Sequence, residues 1–281
     1  MTDKLVLPLE AACRIKRTVP HLFITDWDET ITTKDTIRLV AEAAYKAKPG
    51  FQLPFEHFIN VYGSAYNKYK SQFSKTYRER DTVEKEVLFQ KGLHDVEMAS
   101  INEMTKHKLF AGVTKDNLKE QARKVVLRPH FINFLRKCVS QEIPVVILSI
   151  NWTKIIIEAV LAAHGFKENK FLKIVVNELE FRESVSTGNF DQRISVRTGI
   201  DKLSKLKEIS EGFNYTCYIG DSSTDLLALL QCDLAIAMKD SSVISLLHKL
   251  NVPCKYLGET NDFLREEVYI AEWKEICSFL E

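Results

Sequence analysis

The sequence predicts an open, layered α/β fold on a parallel sheet, interrupted by a helical insertion. Three observations predict it. Five short apolar segments are apolar at consecutive rather than alternate positions, the pattern of strands buried on both faces. Helix-length amphipathic stretches separate the later segments. Finally, about 118 residues, 27 to 144, lie between the first and second segments, far more than a normal crossover needs.

The first strand is expected over residues 21–26 (HLFITD). The excursion that follows reads as helices over 36–48, 54–74, 81–107, 115–126 and 130–140, each with apolar residues at helical spacing. Gly50, Gly112 and Pro129 punctuate it. The second strand is expected over 145–149 (VVILS), with a helix over 153–165. The third is expected over 172–176 (LKIVV), followed by a helix over 200–210. The fourth (216–221, TCYIGD), a helix over 224–232 and the fifth strand (234–238, LAIAM) complete the alternation. The tail, 241–250 and 261–280, reads as helical. These boundaries give a sheet domain over 1–33 plus 128–281 and an all-helical insertion over 34–127.

Composition narrows the function classes. Among 281 residues, 45% are hydrophobic and 27% charged, as in ordinary globular chains. Lys plus Arg number 39 against 38 Asp plus Glu, so a net charge of +1 gives no electrostatic case for nucleic acid or an acidic membrane. The longest apolar run, residues 143–150, is far shorter than the roughly twenty residues of a spanning helix, and charges at 3, 4, 10 and 14 break any signal-peptide pattern. The six cysteines (13, 138, 217, 232, 254, 277) are scattered and read as reduced thiols, and the seven histidines lack metal-ligand spacing, so no zinc site is expected. A cytoplasmic protein is expected.

The chemistry lies at the ends of the strands. Asp26 and Asp28 close the first, and residues two apart in extended chain share a face, so both carboxylates can serve one site while Trp27 points away. The carboxyl ends of parallel strands are where open α/β sheets bind ligands. Alone, Asp-x-Asp also describes a solvated turn. The fourth strand ends Gly220-Asp221-Ser222-Ser223-Thr224-Asp225, delivering a second acidic pair to the same edge. Asp221 or Ser223 would also serve as a helix N-cap, with Asp225 complementing the dipole. Ser149 ends the second strand, where a hydroxyl and free backbone N–H groups suit a phosphate oxygen or a plain cap. Lys202 opens the helix before the fourth strand, on a helix that also carries Lys205 and Lys207.

The ordered set Asp26-x-Asp28-x-Thr30, Ser149, Lys202 and Gly220-Asp221-x-x-x-Asp225 resembles the four signatures of the haloacid dehalogenase (HAD) superfamily. More finely, it is similar to the phosphoserine-phosphatase-like branch. The long helical insertion resembles that branch's cap, and residues 176–181 with 186–190 resemble its hairpin after the third strand. The resemblance implies a Rossmann-like three-layer sheet of order 3-2-1-4-5. Two departures stand near the expected phosphate pocket: His130 replaces a glycine, and Ile150-Asn151-Trp152 replaces the glycines after Ser149.

The implied activity is Mg²⁺-dependent hydrolysis of a small phosphomonoester metabolite through an aspartyl-phosphate. Asp26 is the expected nucleophile and Asp28 the acid/base. Ser149 and Lys202 would hold phosphate, and Asp26, the Asp28 carbonyl and Asp221 the metal. Asp225 and Thr30 would support these groups. The second aspartate, Asp28, sets the chain apart from superfamily members that cleave carbon–halogen bonds. Candidate cap contacts are Tyr66, Lys70, Arg78 and Arg80, while Phe55, Phe58 and Tyr62 read as the cap's own core. Alternatives are a phosphotransferase on the same scaffold, a catalytically silent protein of the same fold, or a nucleotide-sugar transferase, in which Lys202 and the second acidic pair have no role.

Overall fold

The computed structural model describes residues 14–16, 18–259, 262–278 and 280. In chain order the strands and helices are β1 (Arg14–Lys16), β2 (Leu22–Thr25), α1 (Ile37–Ala47), α2 (Phe55–Tyr77), α3 (Val83–Lys91), α4 (Leu93–Lys106), α5 (Lys115–Gln121), α6 (Phe131–Ser140), β3 (Val145–Leu148) and α7 (Ile155–Ala163). They continue with β4 (Leu172–Val175), β5 (Leu179–Arg182), β6 (Val185–Phe190), α8 (Gly199–Ser210), β7 (Thr216–Gly220), α9 (Leu226–Leu229) and β8 (Leu234–Met238). The chain ends with α10 (Ser242–Lys249), β9 (Cys254–Tyr256), β10 (Asp262–Leu264), β11 (Val268–Ala271) and α11 (Trp273–Ser278).

Seven strands form one parallel sheet in the order β4-β3-β2-β7-β8-β11-β9. Its first five strands are the five expected from sequence, in the order 3-2-1-4-5. Every residue of β2, β3, β7 and β8 is buried, which is why these segments carry no polar alternation. The central strand β2 runs in register with β7, Leu22 opposite Thr216 and Thr25 opposite Ile219. That pairing places the chain after Thr25 beside the chain after Gly220, the crevice at which doubly wound sheets bind ligands. The segments 179–182 and 185–190 pair antiparallel as the expected hairpin.

The tail departs from expectation. Residues 261–280 read as helical, but 262–264 pair with Arg14–Lys16, 268–271 form a sixth parallel strand beside β8, and only 273–278 are helical. The run Val268-Tyr269-Ile270-Ala271 is wholly buried. Its β-branched and aromatic residues fit a two-sided strand, which short-range periodicity does not distinguish from a helix. β9, at the sheet edge beside β11, was likewise not anticipated.

Between Thr32 and Leu127, which pair in an isolated antiparallel bridge, the chain forms α1 to α5 and a 3-10 turn (Ala122–Lys124). The stretch 81–107, expected as one helix, breaks at Gly92. A Cβ there would collide with the ring of Tyr69, whose hydroxyl donates to the Phe89 carbonyl at 2.8 Å, so the close approach requires glycine. The helices share a continuous apolar core with the sheet: Ala43, Phe58, Met104 and Leu118 belong to the same cluster as Phe23, Phe134 and Ile147. The described cysteines, 138, 217, 232, 254 and 277, are free, while Cys13 lies outside the described residues. No described helix is long and apolar enough to cross a membrane.

α11 fastens the tail to the sheet. Trp273 is buried against Phe131 and Phe134, at ring separations of 5.0 and 4.9 Å, and its indole donates to the Thr30 carbonyl at 2.8 Å. Trp273→Ala removes the ring and strands that carbonyl. Equilibrium unfolding in urea is expected to show a loss of about 3–5 kcal/mol, and a loss below about 1 kcal/mol would mean that the contact contributes little.

Candidate active site

The site forms where β2, β3 and β7 end. Asp26 follows β2, and its Oδ2 lies 2.9 Å from the ammonium of Lys202 on α8. The same ammonium lies 2.6 Å from Asp225 Oδ1. Lys202 is wholly buried, and Thr198 positions it by capping α8: its hydroxyl accepts from the Asp201 amide while Asp201 accepts from the Thr198 amide. Thus Lys202, unlike half-buried Lys205 and exposed Lys207, is the buried cation of its helix.

Asp225 is saturated. Its Oδ1 accepts from Lys202 and from the Tyr218 hydroxyl at 2.7 Å, and its Oδ2 from the Asp221 and Ser222 amides and the Ser222 hydroxyl. Burial opposes its ionisation, but Lys202 and these donors outweigh burial and hold the carboxyl below its ordinary pKa. Gly220 is required here, since a Cβ would lie 2.5 Å from Asp225 Cβ. Asp221 accepts from the Thr30 hydroxyl at 2.7 Å, tying the loop after β2 to the loop after β7. Burial, reinforced by Asp225, raises the Asp221 carboxyl to about 7. Asp26 is also raised, chiefly by burial and by Asp225, Asp221 and Asp28, against the attraction of Lys202.

Asp28 is held separately. Its Oδ1 accepts from the Thr36 amide (2.6 Å) and hydroxyl (2.5 Å), and its Oδ2 from Asn151 Nδ2 (2.9 Å). The Thr36 hydroxyl also accepts from Asn151 and from the Trp27 indole, so the side chain that points away from Asp28 still helps to orient it. Burial, then the nearby Asp35, raises the Asp28 carboxyl to about 6. Ser149 is wholly buried at the end of β3. Its loop is less open than expected: the Ser149 amide donates to Val175, the Asn151 amide to Ser149 Oγ, and the Trp152 amide to Asn151 Oδ1. Asn177 braces the loop from below, donating to the Ile150 and Asn151 carbonyls.

The structure therefore brings Asp26, Thr30, Lys202, Asp221 and Asp225 into one hydrogen-bonded cluster, with Asp28 and Ser149 joined through Asn151. Asn151 stands in the sequence only as a departure from glycine, and Thr36, Tyr218 and Ser222 carry no motif signal. His130 occupies its glycine's position in the left-handed region, φ 69°, and its side chain is exposed. Histidine tolerates that region better than most residues.

Of the candidate cap contacts, Arg80 stacks on Phe89 and pairs with buried Glu86, and Tyr66 stacks on Tyr62, whereas Lys70 and Arg78 are exposed. Phe58 is buried core, while Phe55 and Tyr62 are half-buried.

Three carboxylates and one ammonium leave this cluster with a formal charge of −2. Oxygens of Asp26, Asp221 and Asp225 lie within 4.8 Å of one another, and Asp26 Oδ1 is buried without a hydrogen-bond partner. A divalent cation with a preference for oxygen donors fits that deficit, and Mg²⁺ is such an ion. Since Asp225 spends both oxygens on other donors, Asp26 and Asp221 are the carboxylates available to it.

Comparison with known proteins places this arrangement in a family of hydrolases. Residues 23–230 match the model of the haloacid dehalogenase-like hydrolases, and the chain belongs to that family. A relative is cold tolerance protein 1 of Saccharomyces cerevisiae, 31% identical over 246 residues that cover 74% of this chain and 75% of the yeast protein. Among solved structures, a phosphoserine phosphatase described as a phospho-aspartyl intermediate analogue superposes with TM-score 0.53 at 14% identity, covering 94% of this chain and 100% of that one. Cytosolic 5'-nucleotidase IIIB bound to cytidine gives 0.55 at 16% identity, covering 92% and 85%. The fold is that of the phosphoserine-phosphatase-like branch.

Away from this cluster's hydrogen bonds, Glu97 on α4 hydrogen-bonds the Tyr62 hydroxyl and faces Arg197. Burial raises its carboxyl to about 7, against the Tyr62 bond and Arg197. A carboxyl whose pKa is higher folded than unfolded binds more protons in the folded state, so its contribution to stability is full below about pH 4.3 and declines as pH rises to about 7. Denaturation curves in saturating Mg²⁺ are expected to show stability declining over this window, with Glu97→Gln flattening the decline. An unchanged pH profile in that variant would contradict the assignment.

Proposed function

We propose that the protein is a Mg²⁺-dependent phosphatase that hydrolyses a small phosphomonoester by way of an aspartyl-phosphate on Asp26. The observation that carries this reading is the cluster itself. A buried carboxylate has one oxygen on a buried lysine and the other without a partner, and a second aspartate lies two residues away in a separate hydrogen-bonding environment.

In this reading Asp26 attacks phosphorus through a carboxylate oxygen, and the bond from phosphorus to the leaving oxygen breaks. Asp28 gives its proton to that oxygen. It then takes a proton from the water that attacks the aspartyl-phosphate, releasing inorganic phosphate and restoring both aspartates. A carboxyl raised to about 6 suits a group that must hold a proton in one step and accept one in the next. Thr36 and Asn151 aim it without neutralising it. The Lys202 ammonium favours the ionised form of Asp26 against burial and the neighbouring acids, and with the Ser149 hydroxyl it would bind the phosphoryl oxygens as charge develops.

Mg²⁺ would be held by Asp26, Asp221 and the Asp28 carbonyl, with Asp225 and Thr30 fixing Asp221 and its loop. When bound it would supply positive charge that offsets repulsion between substrate phosphate and the clustered acids, on the order of 4 kcal/mol for one pair of unit charges at 4 Å and an effective dielectric of 20.

We assign residues 34–127 to a cap that selects the substrate and excludes water. Gln90 on α3 donates to the Ser223 carbonyl at 2.8 Å, linking this helical segment to the loop that carries Asp221 and Asp225. The structural neighbours named for phosphoserine and nucleotide hydrolysis fit a small soluble substrate.

The experiment is release of p-nitrophenol from its phosphate ester. Activity is expected to need Mg²⁺ and to vanish in Asp26→Asn. Asp28→Asn is expected to lower turnover by two to four orders of magnitude while substrate still binds. Near-wild-type turnover by Asp28→Asn would remove the acid/base role, and a wild-type chain inert toward a broad panel of phosphomonoesters would favour a silent scaffold.

A further inference from the structure

Outside the acidic cluster, α2 and α4 bring together three side chains that no step above uses. His57, in the first turn of α2, directs Nε2 to within 3.1 Å of Glu103 Oε1. His107, which caps the C-terminus of α4, brings its own Nε2 to within 3.0 Å of that same oxygen. The rings stand 6.0 Å apart and nearly perpendicular, and the three donor atoms lie within 4.8 Å of one another. Glu103 and His107 are four residues apart, one turn of one helix, whereas His57 arrives from the neighbouring helix.

We propose that His57, Glu103 and His107 bind a divalent transition-metal ion of the Zn²⁺ class, which joins the start of α2 to the end of α4. Zn²⁺ binds imidazole nitrogen and carboxylate oxygen at roughly 2.0–2.2 Å, so neighbouring ligand atoms of a tetrahedral site lie about 3.3–3.5 Å apart. The two nitrogen-to-oxygen distances, 3.1 and 3.0 Å, are within a few tenths of an ångström of that edge. Lys106 occupies the other carboxylate oxygen, Oε2, at 3.2 Å, which leaves Oε1 to the ion. The histidine side chains are 35% and 36% exposed, so water can complete the coordination shell. An N₂O donor set selects Zn²⁺ over Mg²⁺, whereas the carboxylate cluster at Asp26 and Asp221 offers only oxygen, so the two sites differ in the ion they prefer. The pairing is invisible to sequence spacing because one ligand lies 46 residues from the next.

The test uses the full chain, stripped of metal and held in millimolar Mg²⁺, titrated calorimetrically with Zn²⁺. One equivalent of Zn²⁺ is expected to bind. His57→Gln, His107→Gln and Glu103→Gln should each weaken it at least tenfold, and Asp221→Asn should leave it intact. X-ray absorption of the wild-type Zn²⁺ complex should show two imidazole ligands, a readout that needs no variant to fold. Absence of stoichiometric binding, binding undiminished in the histidine variants, loss of the equivalent in Asp221→Asn, or fewer than two imidazoles at zinc would each overturn the proposal.

Discussion

The buried ammonium of Lys202 is the interaction on which the rest of the site depends. It lies within 2.9 Å of Asp26 and 2.6 Å of Asp225, on a side chain with no exposure to solvent. Desolvation alone would lower a lysine's pKa, yet the two carboxylates hold this one above its ordinary value. Such a triad is a weak source of net stability, but removing one partner strands the others, at a cost of about 3–5 kcal/mol. Its effect here is geometric. It fixes the end of β2, the first turn of α8 and the loop after β7 about one point. Asp26 then has one oxygen committed to Lys202 and the other, Oδ1, buried without a hydrogen-bond partner.

The scaffold explains why that point exists. Parallel pairing of β2 with β7 sets two strand ends side by side, and the helical segment leaves the sheet directly after β2. Thr36, the residue before α1, does not cap its own helix with its side chain. Its hydroxyl instead donates to Asp28 while accepting from Trp27 and Asn151. Asp35 serves the first turn of α1 in its place, its Oδ1 accepting from the Ile37 amide at 2.7 Å, so the Thr36 hydroxyl is left to orient Asp28. From the opposite end of the chain, Trp273 holds the Thr30 carbonyl while the Thr30 hydroxyl holds Asp221.

Much of this was legible in the sequence, for a physical reason. Strands buried on both faces need apolar residues at every position, so β2, β3, β7 and β8 stand out as continuous runs. The same rule misled at β11, where an apolar run embedded among acidic residues reads equally as a helix face. The break at Gly92 depends on a ring contact from a different helix. Among site residues, Asp26, Asp28, Ser149, Lys202, Asp221 and Asp225 sit at strand ends or helix starts, where position alone implies a shared edge. Asn151, Thr36 and Tyr218 act only through partners distant in sequence or facing inward, so nothing in their local context separates them from loop, cap and core residues. The left-handed backbone at His130 illustrates the converse: the sequence shows a replaced glycine, and the structure puts the histidine there in a conformation that glycine adopts freely.

The covalent role proposed for Asp26 is tested most directly by trapping. The wild-type chain, mixed with Mg²⁺ and a radiolabelled phosphomonoester and quenched in acid within a turnover, should carry label on the peptide containing Asp26. Mass spectrometry should place the phosphoryl group on that carboxylate, and Asp26→Asn should carry none. Label on any other residue, or hydrolysis at full rate with no labelled protein at any quench time, would contradict the account.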